Sequence, residues 1–287
     1  MKPLKIVFLF AILSISFRLN AQEDKIAAMA KSVKGAYYKG SIDERQLTSK
    51  ETDATYKIII YLPVSYPETQ RKYPIMIITD AFWAMGIVQS TFDMMTFWTH
   101  EIPEVIVVGV AYPHSSLLDM SRNRFRDMLP THVEGYNPSG SADKFISFIK
   151  TELFPFIENN FRIDTTDRCF CGHSFGGLLG THILMEQPQI FNRYILGSPS
   201  YWWDNKEITK RLLTKSYLVS DSIKAVFSFV GGKEGAMMIK NMTEFDSILV
   251  NKINKNVKFQ NQIFQDETHM SVFPAAFSTA VKFVYKK

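Results

Sequence analysis

Short apolar runs alternate along this chain with stretches whose apolar residues recur at three- and four-residue steps. Tyr73–Thr79 reads Tyr-Pro-Ile-Met-Ile-Ile-Thr, and Glu104–Ala111 carries Val-Ile-Val-Val-Gly-Val-Ala. Runs apolar on both faces predict strands covered by helices on both sides. Further strands are predicted at Arg168–Cys171, Arg193–Leu196, Ala225–Val230 and Val257–Phe264, and an antiparallel pair at Ser41–Lys50 and Thr55–Leu62, joined across Glu51-Thr52-Asp53. The helical period appears over Gly86–His100, with Phe92, Met95 and Phe97 facing inward, and most clearly over Ala142–Asn160. There Phe145, Phe148, Ile149, Leu153, Phe156 and Ile157 line one side, Ser141 is a candidate cap, and Pro155 predicts a kink. Helices are also predicted over Phe175–Gln187, over Met237–Asn251, and from Ser271 to the end, with Pro274 in the first turn. The alternation predicts an α/β domain with a mainly parallel central sheet and helices on both faces. No repeat, low-complexity tract or linker interrupts it, so residues 22–287 form one expected domain.

Composition changes this picture only at the N-terminus. Of 287 residues, 46% are hydrophobic and 21% charged, the balance of a globular protein with a real core. The formal charge is +5, but Lys2, Lys5 and Arg18 lie in the first 21 residues, which hold no acid. The rest of the chain therefore carries +2, which gives no support to nucleic-acid binding. Residues 1–21 read as a secretory signal peptide: a charged start, the apolar stretch Ile6–Phe17, and a cleavage site at Leu19-Asn20-Ala21. The apolar stretch is short for a bilayer span, so no stable membrane span is expected after cleavage, and a periplasmic or secreted location is. Cys169 and Cys171 alternate along one predicted strand. They suit neither a disulfide nor a zinc site, and read as buried thiols.

The candidate chemistry centres on Cys171-Gly172-His173-Ser174-Phe175-Gly176-Gly177. Its Gly-x-Ser-x-Gly follows a predicted strand and opens a predicted helix, the context in which a serine sits on a strained turn with its hydroxyl thrust outward. Such a serine needs a base to take its proton. Six histidines are available: His100, His114, His132, His173, His182 and His269. His269 lies between the last strand and the final helix, where loops at strand carboxyl ends gather along one edge. Its place late in the chain fits the order serine, acid, histidine. Glu234, in the loop after Ala225–Val230, is the leading acid, with Asp204 and Asp266 as rivals, and a backbone carbonyl orients the histidine in some enzymes. The N–H groups of Phe175 and Phe82 are the candidate oxyanion donors, with Ala81 in reserve. Phe82, Trp83, Trp202 and Trp203 are candidates for a cleft wall, or for ordinary packing. Arg124 and Arg126 are candidates for an anionic substrate, or for salt bridges such as one to Asp127.

Taken together, these stretches resemble the Putative esterase family of α/β-hydrolases, which includes enterochelin (siderophore) esterases, esterase D-type enzymes, feruloyl and acetyl-xylan esterases and mycolyltransferases. The resemblance rests on Tyr73-Pro74 to Asp80, Val107–Val110, Arg124-Phe125-Arg126-Asp127, the elbow, Ser198-Pro199-Ser200-Tyr201-Trp202-Trp203-Asp204, Gly231–Glu234 and His269. The chain departs from the family pattern at Ala81, where glycine is usual. The resemblance implies the α/β-hydrolase fold, hydrolysis of a small-molecule carboxylic ester through an acyl-enzyme, and no metal or organic cofactor. It also implies Glu234 as the acid, and an anion-binding role for an arginine in the Arg124–Arg126 region. A siderophore-type ester is the expected substrate, with feruloyl or acetyl carbohydrate esters and acyl transfer as alternatives. A binding protein on an inactive hydrolase scaffold is the reading from another class.

Overall fold

The computed structural model describes residues 39–113, 116–215 and 222–286. The chain divides into Met1–Tyr38, all of which, with the leader expected over residues 1–21, lies outside the described residues, and Lys39–Lys287. The second unit is built on an eight-stranded sheet: β1 (Ser41–Thr48), β2 (Thr55–Leu62), β3 (Tyr73–Ile78), β4 (Ile106–Ala111), β5 (Ile163–His173), β6 (Arg193–Gly197), β7 (Ala225–Gly231) and β8 (Lys258–Phe264). The order is β1-β2-β4-β3-β5-β6-β7-β8. Only β1 with β2 and β2 with β4 run antiparallel. The other neighbours are parallel.

Alternating side chains of these strands feed two cores. Ile75, Ile77, Ile106, Val108, Phe170 and Leu196 point to one face, where helices α2 (Leu117–Met128), α3 (Ala142–Phe148), α4 (Phe154–Asn160), α5 (Phe175–Glu186), α6 (Trp203–Thr214) and α7 (Ala236–Leu249) lie. Met76, Ile78, Val107, Cys169, Cys171 and Phe229 point to the other, under α1 (Ala81–Asp93) and α8 (Val272–Tyr285). Both cysteines are buried free thiols. Each central strand is thus covered twice, which is why its apolar run shows no period.

Local chemistry moves several boundaries. α1 starts at Ala81 rather than Gly86, because Asp80, in the left-handed region at φ 56°, ends the strand turn directly into a helix. A π-helical turn, Met94–Trp98, extends it, with Phe92 and Met95 buried and Phe97 half-buried. Ser141 makes no side-chain cap bond, and the helix expected to kink at Pro155 changes its coil just before that residue. A π-turn at Ile149–Leu153 loosens the coil ahead of it, leaving Pro155 in the first turn of α4, where a missing N–H costs little. α2 and α6 were not among the expected helices. Among the described residues no helix is long and apolar enough to cross a membrane.

One buried acid makes stability depend on pH. Asp246 of α7 is 1% exposed, and burial pushes its carboxyl up to about 7, with Ser228 and Asn261 pulling the other way. A raised carboxyl favours folding while protonated, so its contribution is full below the ordinary 3.8 and is lost as pH rises through 7. Asp246→Asn is therefore expected to be more stable than wild type at pH 8, by up to about 4 kcal/mol. The gain should vanish near pH 4, as urea unfolding at the two pH values would show.

Candidate active site

The elbow follows β5. Ser174 sits at φ 60°, ψ −117°, a strained conformation held because its N–H donates to the Gly197 carbonyl (2.8 Å) and its own carbonyl accepts from Leu178 and Ser200. At Gly172 a Cβ would lie 2.2 Å from the Gly176 carbonyl oxygen, so only glycine lets the strand end and the helix start approach this closely. Ser174 is half-buried, and its Oγ lies 3.4 Å from the Ser200 hydroxyl.

The next three strands in the sheet end beside it, because β5, β6, β7 and β8 are consecutive and parallel. Ser198 and Ser200 follow β6, Glu234 follows β7 and His269 follows β8. The last two loops are stitched together: the Gly232 N–H donates to the Phe264 carbonyl (2.8 Å) and the Lys233 N–H to the Glu267 carbonyl (2.9 Å). Gly231 permits this, since a Cβ there would stand 2.4 Å from the Glu267 oxygen. The stitching brings His269 Nδ1–H to Glu234 Oε2 at 2.6 Å. The Glu234 side chain is 1% exposed and that of His269 is 38% exposed, so the acid is sealed beneath an imidazole open to the cleft.

Glu234 takes two further hydrogen bonds on Oε1, from the Ser198 hydroxyl (2.5 Å) and the Gly231 N–H (2.7 Å). Burial pushes its carboxyl up, but bonds from His269, Ser198 and Gly231 more than offset this and hold it below the usual carboxylate range. Ser198 and Ser200 stand in the Ser198–Asp204 motif, which by itself gives neither a role. Their side-chain partners depend on which strands are neighbours, which local pattern does not carry. Ser198→Ala is expected to lower kcat about tenfold with little change in KM, since Glu234 loses one of its charge-assisted donors. Steady-state kinetics on a short nitrophenyl ester measures this.

The other acids and histidines lie in different settings. Asp266 is 93% exposed and faces Lys233 at 3.5 Å, while Asp204 occupies a left-handed turn at the start of α6. His182 bonds Asp143 at 2.9 Å, His132 Nδ1 lies 3.1 Å from the Ser139 hydroxyl, and His100 is exposed in a loop. His114 lies outside the described residues. His173 is buried, its ring 4.6 Å from that of His269 and edge-on to Trp83 and Phe273. Burial, and then the neighbouring His269, bring it down to about 3, so it stays neutral and does not compete for a proton.

Two helix N-termini meet at this edge. α5 begins at Phe175, directly after Ser174, and α1 begins at Ala81, after the neighbouring strand β3. The first N–H groups of a helix have no partner within it and carry the positive end of its dipole. In α1 the Trp83 and Ala84 N–H groups reach back to the Asp80 carbonyl, and the Asp80 carboxylate caps nothing. That carboxylate is engaged by Arg124, bidentate at 2.8 and 3.0 Å, whose guanidinium also lies over the Phe175 ring. Burial raises the Asp80 carboxyl, while Arg124 pulls it down. Arg126 is held bidentate by buried Asp127, at 2.7 and 2.8 Å. Trp203 is buried with its indole N–H on Thr131, Trp202 is half-buried, and both pack near Phe175. Trp83 packs edge-on to Phe273, and the Phe82 ring is 48% exposed.

Known proteins resemble this chain in family and in fold. The Putative esterase family matches residues 49–282. The ferri-bacillibactin esterase BesA of Bacillus subtilis is 29% identical over 255 residues, 83% of this chain and 88% of that protein. The crystal structure of the BES protein from Bacillus cereus superposes with a TM-score of 0.76 at 26% identity, covering 89% of this chain and 98% of that one. The siderophore hydrolase EstA from Aspergillus nidulans has the same fold, with a TM-score of 0.72 at 23% identity over 85% of this chain and 94% of its own. This chain belongs to the Putative esterase family, has the α/β-hydrolase fold, and is by class a serine ester hydrolase.

Proposed function

We propose that this protein hydrolyses siderophore-type carboxylic esters outside the cytoplasm, through an acyl-enzyme formed on Ser174. The observation that carries the mechanism is the 2.6 Å bond from His269 to a buried, ionised Glu234, on loops adjoining the elbow. In this reading His269 takes the Ser174 proton through Nε2 as Oγ attacks the ester carbonyl, with Nδ1–H held by Glu234. The Phe175 and Phe82 N–H groups hold the oxyanion, with Ala81 N–H in reserve. His269 then protonates the leaving alcohol, and afterwards draws a proton from the water that releases the acid. Ferri-bacillibactin and enterobactin, the esters named for two relatives, support the substrate class. Trp83, Trp202, Trp203, Arg124 and Arg126 remain proposed contacts, the arginines through whatever donors their carboxylate partners leave free.

Turnover of ferri-bacillibactin, enterobactin, feruloylated oligosaccharide and acetylated xylan, compared at equal enzyme, tests the substrate. Hydrolysis of the two siderophores at no more than background, with either carbohydrate ester cleaved well, would overturn it. The leader is tested by N-terminal sequencing of the protein after export from a bacterial host, which should begin at Gln22.

A further inference from the structure

A cavity of about 870 Å³ opens beside the start of α1, a size ordinary for a small-molecule site. Its apolar wall includes Phe82, Tyr112 and Met120, and its polar wall is Glu44, Arg45, Gln46 and Lys57. Register explains the position. Lys57 pairs with Ala111 at the carboxyl end of β4, and Gln46 pairs with Lys57, so the antiparallel β1–β2 hairpin flanks the same edge as the elbow. Phe82 joins the two regions: its N–H is the proposed oxyanion donor, and its half-exposed ring walls the cavity. A carbonyl seated on that N–H therefore lies within one side chain of the cavity.

The two walls ask for different chemistry. Phe82 and Met120 offer a flat, polarisable surface to a ring face. Arg45 and Lys57 offer cations whose present partners, Asp43 at 2.8 Å and Glu44 at 2.9 Å, sit in exposed surface pairs. Pairs of that kind are worth little, so a ligand anion can take the carboxylate's place.

We propose that this cavity is a subsite for the non-reacting arm of the ester, an aryl group bearing anionic or metal-bound oxygens. The proposal rests on the siderophore reading and adds where the arm lies and which residues choose it. Arg45→Gln with Lys57→Gln removes the cations, and Gln46→Trp fills the cavity from an exposed strand position that tolerates an aromatic residue. The readout is the ratio of kcat/KM for ferri-bacillibactin to kcat/KM for nitrophenyl butyrate, whose acyl group is too short to reach past Phe82. The ratio should fall at least tenfold in both variants, mainly through a higher KM for the siderophore. In the double variant that KM should also lose most of its dependence on salt. If wild type hydrolyses the siderophore and both variants keep the ratio within twofold, the subsite is wrong and the substrate reading stands. If wild type cleaves only the nitrophenyl ester, the substrate reading fails and takes the cavity's assigned ligand with it.

Discussion

Ser174→Ala is expected to lower kcat on nitrophenyl butyrate by about 10⁴–10⁶-fold, while folding and ester binding persist. Removing Oγ removes the proposed nucleophile, whereas the helix N-termini and the cleft remain. The residual rate should match general polarisation of the carbonyl by the N–H groups of α1 and α5. Pre-steady-state mixing separates this from an indirect effect. Wild type should release one equivalent of nitrophenol in a burst where deacylation is slower than acylation, and the variant should show none. A variant that keeps a tenth of wild-type kcat would mean that another group attacks. The Ser200 hydroxyl, 3.4 Å from Ser174 Oγ, would then be the first suspect.

The elbow was legible in the sequence because its geometry is local. Gly172 is dictated by a contact with Gly176, four residues on, although Gly176 itself is kept small by Thr79 from a distant stretch, and an apolar run stands on either side of the turn. The positions of Glu234 and His269 were legible through a second regularity, that each loop after a parallel strand opens on the same edge. Other features were hidden because their causes are not local. α2 adds charge to a small apolar contact: its buried residues are Asp127 and Met128, Phe125 packs against the core, and Arg124 ties it to Asp80 across 44 positions of sequence. α6 begins with three left-handed residues, Asp204, Asn205 and Lys206, which break any helical period where a reader would seek its start. The early start of α1 follows from the left-handed backbone of Asp80, whose carboxylate goes to Arg124 rather than to the helix N–H groups. That arrangement leaves the first N–H groups of α1 without a side-chain cap from Asp80. The cavity beside Phe82 was hidden for a further reason: β4 lies between β2 and β3, an exchange of neighbours that no local pattern records.

Glu234→Gln should be nearly as damaging as loss of the serine, with kcat down about 10³–10⁴-fold and KM changed only a few-fold. Three donors converge on this carboxylate: Ser198 and Gly231 on Oε1, and His269 on Oε2. A glutamine side chain has one acceptor oxygen and an NH₂ that only donates. If its oxygen serves Ser198 and Gly231, the NH₂ faces Nδ1 and forces the His269 proton onto Nε2, where it blocks uptake of the serine proton. If the amide is reversed, NH₂ opposes the Gly231 N–H, and the stitched loops lose a bond at their tightest point. Stability distinguishes a merely loosened loop from a lost ion. Because the Glu234 carboxyl is held below its ordinary 4.5, its ionised form favours folding. That contribution is present above pH 4.5 and is lost as pH falls through the folded value. Wild type should therefore exceed the variant in stability at pH 7, and the gap should narrow below pH 4.5. A downfield imidazole proton, bonded to a carboxylate in wild type, should be absent from the variant's NMR spectrum. If Glu234→Gln keeps more than a tenth of wild-type kcat, the acid role passes from Glu234, and the exposed Asp266 or the α6 residue Asp204 must be tried by the same substitution to asparagine.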